Sequence, residues 1–142
     1  MTDYVFSWDK MLALQGNTAP YLQNAYVRVR SIFRKAGERA LDGLKLSSLT
    51  NFQLLEAAEI NLARRLCQFA EIVPQVLNDF RPNILANYLF ELANNFHGFY
   101  EACPVLKSVE PARNSRLALC DLTGRVLQRG LDLLGIKVPE KM

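Results

Sequence analysis

Residues 16–35 read GNTAPYLQNAYVRVRSIFRK, a run with the features of a complete amphipathic helix. Thr18 is a good helix N-cap because its hydroxyl can accept a hydrogen bond from an unpaired N–H of the first turn. Pro20 falls in that turn, where its missing N–H costs little, and Gly37 is a typical helix stop. Apolar side chains recur every three or four residues, which predicts a core face. They are Leu22, Ala25, Tyr26, Val29, Ile32, Phe33 and Ala36.

A stripe of mostly polar residues lies beside that core face, given about 100° of rotation per residue. It consists of Tyr21, Asn24, Arg28 and Lys35, and Arg30 and Arg34 form a third, more exposed row. A ring, an amide and cations in one stripe suit a single-stranded nucleic acid, because bases stack on the ring while phosphates meet the cations. The same residues also fit the ordinary solvated side of an amphipathic helix, so the pattern alone leaves both interpretations open.

The composition indicates one compact domain. The chain has 142 residues, of which half are hydrophobic, and a formal net charge of +3, which permits RNA binding without predicting it. The three cysteines, Cys67, Cys103 and Cys120, lack C-x-x-C spacing, so neither a disulfide framework nor a zinc site is indicated. There is no secretory signal pattern and no apolar run of the roughly 18 residues that a membrane span needs. We therefore expect a cytoplasmic protein.

Further helices are predicted by apolar periodicity at 51–69, 70–80, 83–103 and 113–136, with Pro74 in the first turn of the second of these. We expect a loop at 38–49, Thr50 as the next cap, and a break at Arg81–Pro82. Residues 4–14 form an arm that looks extended at Phe6 and Trp8 and helical later. Gly124 and Gly130 each cost a helix about 1 kcal/mol relative to Ala, which suggests close helix contacts there.

Three blocks resemble the C-terminal domain of arginyl-tRNA synthetases. Residues 16–35 are similar to the family's G-N-T-G-P-Y-L-Q-Y-A-x-x-R-x-x-S-I-x-R-K. Residues 83–106, NILANYLFELANNFHGFYEACPVL, resemble L-x-x-Y-L-x-x-L-A-x-x-F-x-x-F-Y-x-x-C-x-V-L. The chain ends LLGIKVPEKM, where the family typically ends L-L-G-I-x-x-P-E-R-M. The blocks come in the family's order, and the resemblance extends from Asp3 to Met142.

This resemblance implies an all-α fold, in which a connector arm at 1–15 joins a catalytic body to a DALR-type bundle of about five helices at 16–142. Such a domain binds the anticodon loop of arginine tRNA. By similarity, Tyr21, Arg28, Tyr100 and Met142 match positions near that loop, and we add Asn24 and Lys35 from the same stripe of the first helix. Asn24 replaces a Tyr of the family, which removes a stacking surface worth about 1–3 kcal/mol per base.

The chain has no residues that suggest catalysis. The synthetase signatures for ATP, a His-x-Gly-His and a K-M-S-K-S-like loop, do not occur, so we expect no activation of arginine and no cofactor or metal. His97 is the single histidine, expected on a helix surface or facing tRNA, and Glu56 and Glu59 fit a solvated first helical turn.

An alternative hypothesis is a stand-alone helical module of the same fold that binds a protein partner. Under the first hypothesis the partners are tRNA and the catalytic body of a synthetase, with neither membrane nor DNA involved. Phe6 and Trp8 are apolar residues of the arm that can drive weak dimerisation, so we expect a monomer or a weak dimer.

Overall fold

The computed structural model describes residues 6–37 and 51–142, and the predicted loop at 38–49 and cap Thr50 lie outside this part. The described residues form six helices and no strand, which confirms the all-α prediction. The helices are α1 (Trp8–Met11), α2 (Ala19–Ala36), α3 (Ala57–Cys67), α4 (Phe69–Asp79), α5 (Pro82–Ala102) and α6 (Ala112–Leu133).

Helix α5 lies at the centre of the bundle and contacts α2, α3, α4 and α6. Its apolar positions Leu89, Leu92, Phe96 and Phe99 are fully buried, as the periodicity predicted. Helix α2 packs across α6 and α5 with its predicted apolar face, of which only Ala36 is not buried. Among residues 6–37 and 51–142 we find no helix with the length and hydropathy of a membrane span.

The ends of α2 are where the sequence predicts them. Thr18 accepts a hydrogen bond from the Tyr21 N–H at 3.3 Å, and Pro20 lies in the first turn. Gly37 ends the helix with a φ of 85°, a left-handed value that glycine adopts without steric cost. The polar stripe therefore lies on a helix with defined ends.

Helix α3 begins later than predicted, at Ala57 instead of residue 51. The side chain of Glu59 reaches back to accept the Glu56 N–H at 2.9 Å, which satisfies a donor that a helix start leaves unpaired. Phe52 and Leu55, which fit the helical period, are exposed residues before the helix. Pro74 is also misplaced by the prediction, since it lies inside α4 and not in its first turn.

The arm before α2 turns helical at Trp8 and has no buried residue in α1. Phe6 and Trp8 contact each other edge to face, with ring centroids 5.0 Å apart. Both are exposed, as are Leu12 and Leu14. The arm therefore presents an apolar surface and contributes little to the core.

A buried ion pair joins α3 to α6. Glu59 is only 1% exposed, so its predicted place on a solvated turn is wrong, and its Oε1 lies 2.6 Å from Arg116 Nε. The other carboxylate oxygen accepts the Leu55 and Glu56 N–H groups at 2.7 and 2.9 Å. Burial by itself raises the pKa of Glu59, but these N–H groups and the guanidinium outweigh it, so the pKa lies below its ordinary value.

Arg116 also holds the segment that follows α5. Its Nη1 donates to the Pro104 carbonyl at 3.0 Å and to Ser108 Oγ at 2.6 Å. The pair thereby connects the start of α3, the first turns of α6 and the 104–108 segment.

We expect Gly130→Ala to lower the free energy of unfolding by about 1–2 kcal/mol, because overpacking outweighs the gain in helix propensity. A Cβ at Gly130 would lie 2.5 Å from Leu89 Cδ2, and Leu89 is fully buried. Urea denaturation measures the change. Gly98→Ala is the matched control, since Gly98 is exposed on α5 and nothing lies within 4 Å of its Cβ position. It should stabilise by about 0.5–1 kcal/mol, and equal effects of the two variants would contradict the close contact.

We expect Glu59→Gln to cost about 3 kcal/mol at neutral pH, because it leaves Arg116 buried beside an uncharged group. The lowered pKa gives the sign of the pH dependence. Stability from this carboxylate is fully present above the ordinary pKa of 4.5 and is lost as the pH falls through the lower folded-state value. Denaturation at a series of acidic pH values should therefore show the two proteins converging.

Glu91→Gln is the control for this experiment, because Glu91 pairs with Arg65 at 2.7 Å but its side chain is 52% exposed. It should cost less than about 1 kcal/mol. A constant difference between wild type and Glu59→Gln down to the lowest pH would show that the charge of Glu59 contributes nothing.

Candidate nucleic-acid interface

A shallow hollow of about 580 Å³, here called the α2–α5 groove, lies between α2, from Asn24 onward, and the end of α5. It brings together five of the six predicted site residues. Those five are Asn24, Arg28, Lys35, Tyr100 and Met142, and Val27, Ser31, Arg34 and Glu101 complete the lining. The residues come from three parts of the chain, so the fold collects them.

A second hollow of about 410 Å³ adjoins the groove and shares five lining residues with it, namely Arg28, Ser31, Lys35, Tyr100 and Glu101. Its far wall is the 104–107 segment, which the sequence analysis did not assign to a site. Val105 is buried in this wall, while Lys107 is exposed. Since Arg116 holds the Pro104 carbonyl, this wall is fixed to the core.

Arg28 and Tyr100 form the boundary between the two hollows. The guanidinium carbon of Arg28 lies 5.7 Å from the centroid of the Tyr100 ring, a cation–π contact. Arg28 and Lys35 are exposed, and neither forms an ion pair with any carboxylate of the described residues. An aromatic ring with unneutralised cations beside it can stack a base and meet a phosphate.

Tyr21 lies outside the groove, on the same stripe of α2 two turns before Arg28. Its hydroxyl donates to Asn94 Oδ1 at 2.6 Å and lies 3.0 Å from His97 Nδ1. The ring packs against Phe90 and stands edge to face on His97, with centroids 5.5 and 5.3 Å away. Tyr21 is therefore half-buried and joined to α5, as Asn24 is half-buried, while Arg28 and Lys35 of the same stripe are exposed.

His97 lies under this surface, in contact with Tyr21 and Phe96. Burial lowers the pKa of its imidazole, the positive charge of Arg28 lowers it further, and the carboxylate of Glu101 acts in the opposite direction. The Tyr21 hydroxyl and Nδ1 of the imidazole therefore share a hydrogen bond within this cluster. His97 is thus an uncharged part of the support of the site at neutral pH.

The outer row of α2 has a role that sequence analysis missed. Arg34 donates to the Glu140 carbonyl at 3.0 Å, and Arg30 Nε lies 3.4 Å from a carboxylate oxygen of Glu140. These contacts bring the end of the chain, and with it Met142, to the groove. Arg30 and Glu140 are 110 positions apart, so helical periodicity contained no sign of the contact.

The chain is similar to known proteins along its whole length. Residues 22–142 match the family model of the DALR anticodon binding domain. The arginine–tRNA ligase of Synechococcus sp. is 51% identical over 141 residues, which cover 99% of this chain and 24% of that protein. The ligase of Rippkaea orientalis is 52% identical with the same coverage. The chain therefore spans about a quarter of the length of these relatives.

Solved structures agree with this likeness. An arginyl-tRNA synthetase from Plasmodium falciparum superposes with a TM-score of 0.86 at 36% identity, over 99% of this chain and 24% of that one. The Thermus thermophilus arginyl-tRNA synthetase gives a TM-score of 0.77 at 35% identity, over 92% of this chain and 22% of that one.

The electrostatics at His97 can be tested by NMR, because it is the single histidine of the chain and its ring signal is unambiguous. We expect a pKa below the ordinary 6.5, so stability should rise with pH through the window just below 6.5. Arg28→Met should raise the pKa of His97, and Glu101→Gln should lower it. Shifts of the same sign in both variants, or a wild-type pKa above 6.5, would contradict the described arrangement.

Proposed function

Because this chain belongs to the family of DALR anticodon-binding domains, we propose that it binds the anticodon loop of arginine tRNA. One observation supports this most directly. The α2–α5 groove collects Arg28, Lys35 and Tyr100 from two helices, together with Met142 from the end of the chain. A loop with splayed bases needs such preplaced stacking, hydrogen-bonding and cationic groups.

Each residue of the groove has a role that its chemistry suits. Tyr100 stacks a base, since 37% of it is exposed and its ring borders both hollows. Arg28 and Lys35 meet phosphates, and the amide of Asn24 hydrogen-bonds a base edge in place of a second stacking ring. Met142 forms an apolar wall. Tyr21, on the same stripe, extends the contact surface towards the start of α2.

In a synthetase, such a domain adds binding energy and checks the anticodon while the chemistry occurs elsewhere. The described residues contain no group of three or more His, Cys, Asp or Glu side chains that could hold a metal ion. We propose that arginine activation belongs to a catalytic body, that this domain contacts that body, and that both act in the cytoplasm as a monomer or weak dimer.

The proposal is tested by fluorescence anisotropy with an arginine-tRNA anticodon stem-loop and a loop-scrambled stem-loop. We expect preferential binding of the first. Tyr100→Ala should weaken it by about 10-fold, which corresponds to one lost base stack. Arg28→Met should weaken it too and reduce the slope of log affinity against log salt by about 0.7, the value for one single-strand phosphate contact.

Two variants control for the loss of a ring and of a charge elsewhere. Phe80→Ala removes an aromatic ring that is 89% exposed, about 30 Å from Tyr100 along α5. Arg64→Met removes an exposed cation of α3 that does not line the groove. Both should bind as wild type does. Equal binding of the two stem-loops, or equal losses in all four variants, would contradict the proposal and favour a module that binds a protein partner.

A further inference from the structure

The C-terminal tail, residues 136–142, has no regular secondary structure and lies alongside α2. It leaves α6 through a turn in which Gly135 has a φ of 74° and the Ile136 N–H donates to the Leu131 carbonyl at 2.9 Å. Ile136 and Val138 are partly buried against the core. Pro139 is partly buried as well, but Glu140, Lys141 and Met142 are exposed, so polar contacts contribute to the course of these last residues.

Side chains of α2 supply those contacts. Gln23 Nε2 donates to the Lys137 carbonyl at 2.7 Å, and Arg34 Nη1 donates to the Glu140 carbonyl at 3.0 Å. Arg30 Nε lies 3.4 Å from Glu140 Oε2. The three α2 residues are spaced by seven and four positions, so they lie on one face of the helix. This face holds the tail in the same direction as α2 runs.

The position of Met142 depends on this arrangement. Met142 lines the α2–α5 groove but is 63% exposed, so its own packing is slight. A segment with no regular structure and little burial is poorly ordered unless other contacts hold it. Here the ties are Gln23 and the outer arginines, which lie on the neighbouring face of α2 from Asn24 and Arg28.

We propose that Gln23 and Arg30 are positioning residues, which hold the tail so that Met142 forms one wall of the α2–α5 groove. Neither side chain lines the groove. Arg34 holds the tail as well, but it also lines the groove and can contact a ligand itself, so it is a poor probe of positioning. The role of the wall in RNA binding rests on the function proposed above.

A charge swap separates positioning from simple attraction of phosphates. Glu140→Lys places two cations together and raises the net charge from +3 to about +5, so general electrostatics predicts tighter RNA binding. If Glu140→Lys instead releases the tail, so that Met142 no longer forms the wall, RNA binding should become weaker. Arg30→Glu breaks the same pair, and the double variant restores it at the original net charge.

We expect each single variant to bind the anticodon stem-loop about 3- to 10-fold more weakly than wild type, and the double variant to bind within about 2-fold of it. Gln23→Ala should also weaken binding, while Gln75→Ala, an exposed glutamine of α4, should not. Glu140 is exposed and Arg30 is partly buried, with side chains 71% and 37% accessible, so the midpoint of thermal unfolding should change little.

A second measurement needs no RNA. Mass spectrometry follows the release of Met142 by a broad-specificity carboxypeptidase. All variants keep Lys141 before it, and each rate is divided by that of a short C-terminal peptide with the same residue 140. Release should be faster in Arg30→Glu and Glu140→Lys and return to the wild-type rate in the double variant. If both single variants release Met142 at the wild-type rate, the positioning role is overturned, whatever the RNA result.

The two measurements also separate this inference from the proposed function. Met142 release could be faster in the single variants and return to the wild-type rate in the double variant, while the wild type shows no preference for the anticodon loop. This outcome would support the positioning of the tail and contradict the proposed function. Fast release in single variants that bind the loop as tightly as wild type would show that Met142 is no part of the RNA site. Tighter binding by Glu140→Lys would overturn the inference in favour of plain electrostatics.

Discussion

The buried ion pair of Glu59 and Arg116 holds together parts of the chain that are otherwise distant. Burying two charges costs several kcal/mol each. Attraction between the charges offsets this cost only when further hydrogen bonds satisfy the remaining donors and acceptors of both groups. Here two backbone N–H groups donate to the Glu59 carboxylate, and the Arg116 guanidinium donates to the Pro104 carbonyl and to Ser108 Oγ. The start of α3, the 104–108 segment and α6 are thus fixed to one another, and the far wall of the second hollow is fixed with them.

Helix α2 then serves three surfaces at once. Its apolar face packs in the core, one polar stripe lines the α2–α5 groove, and the outer row holds the C-terminal tail. Close approach of α6 keeps the helix in place, since a Cβ at Gly124 would lie 3.0 Å from Val29 Cγ1. A helix packed on one side and tied on another presents its third side in a fixed orientation, which is what recognition of separate bases requires.

Cations that join segments of the chain differ from the cations at the groove. Arg116 and Arg30 face carboxylates of Glu59 and Glu140, whereas Arg28 and Lys35 have no ion-pair partner among residues 6–37 and 51–142. Burial keeps His97 neutral beneath them. The positive charge that borders the groove therefore comes from Arg28 and Lys35 and not from the histidine beneath them.

Helix positions and the polar stripe of α2 could be predicted because caps, stops and the 3.6-residue period act between residues close in sequence. The burial of Glu59 could not, because it depends on Arg116, 57 positions away. The start of α3 has a local cause, the capping box of Glu56 and Glu59, which apolar periodicity does not register. The hydrogen bonds from α2 to the tail join residues that are 106 and 114 positions apart in the sequence. Periodicity tells which face of a helix is buried but not what covers it. The composition of the α2 stripe therefore followed from local spacing. The walls around the stripe followed from packing between segments that are distant in sequence.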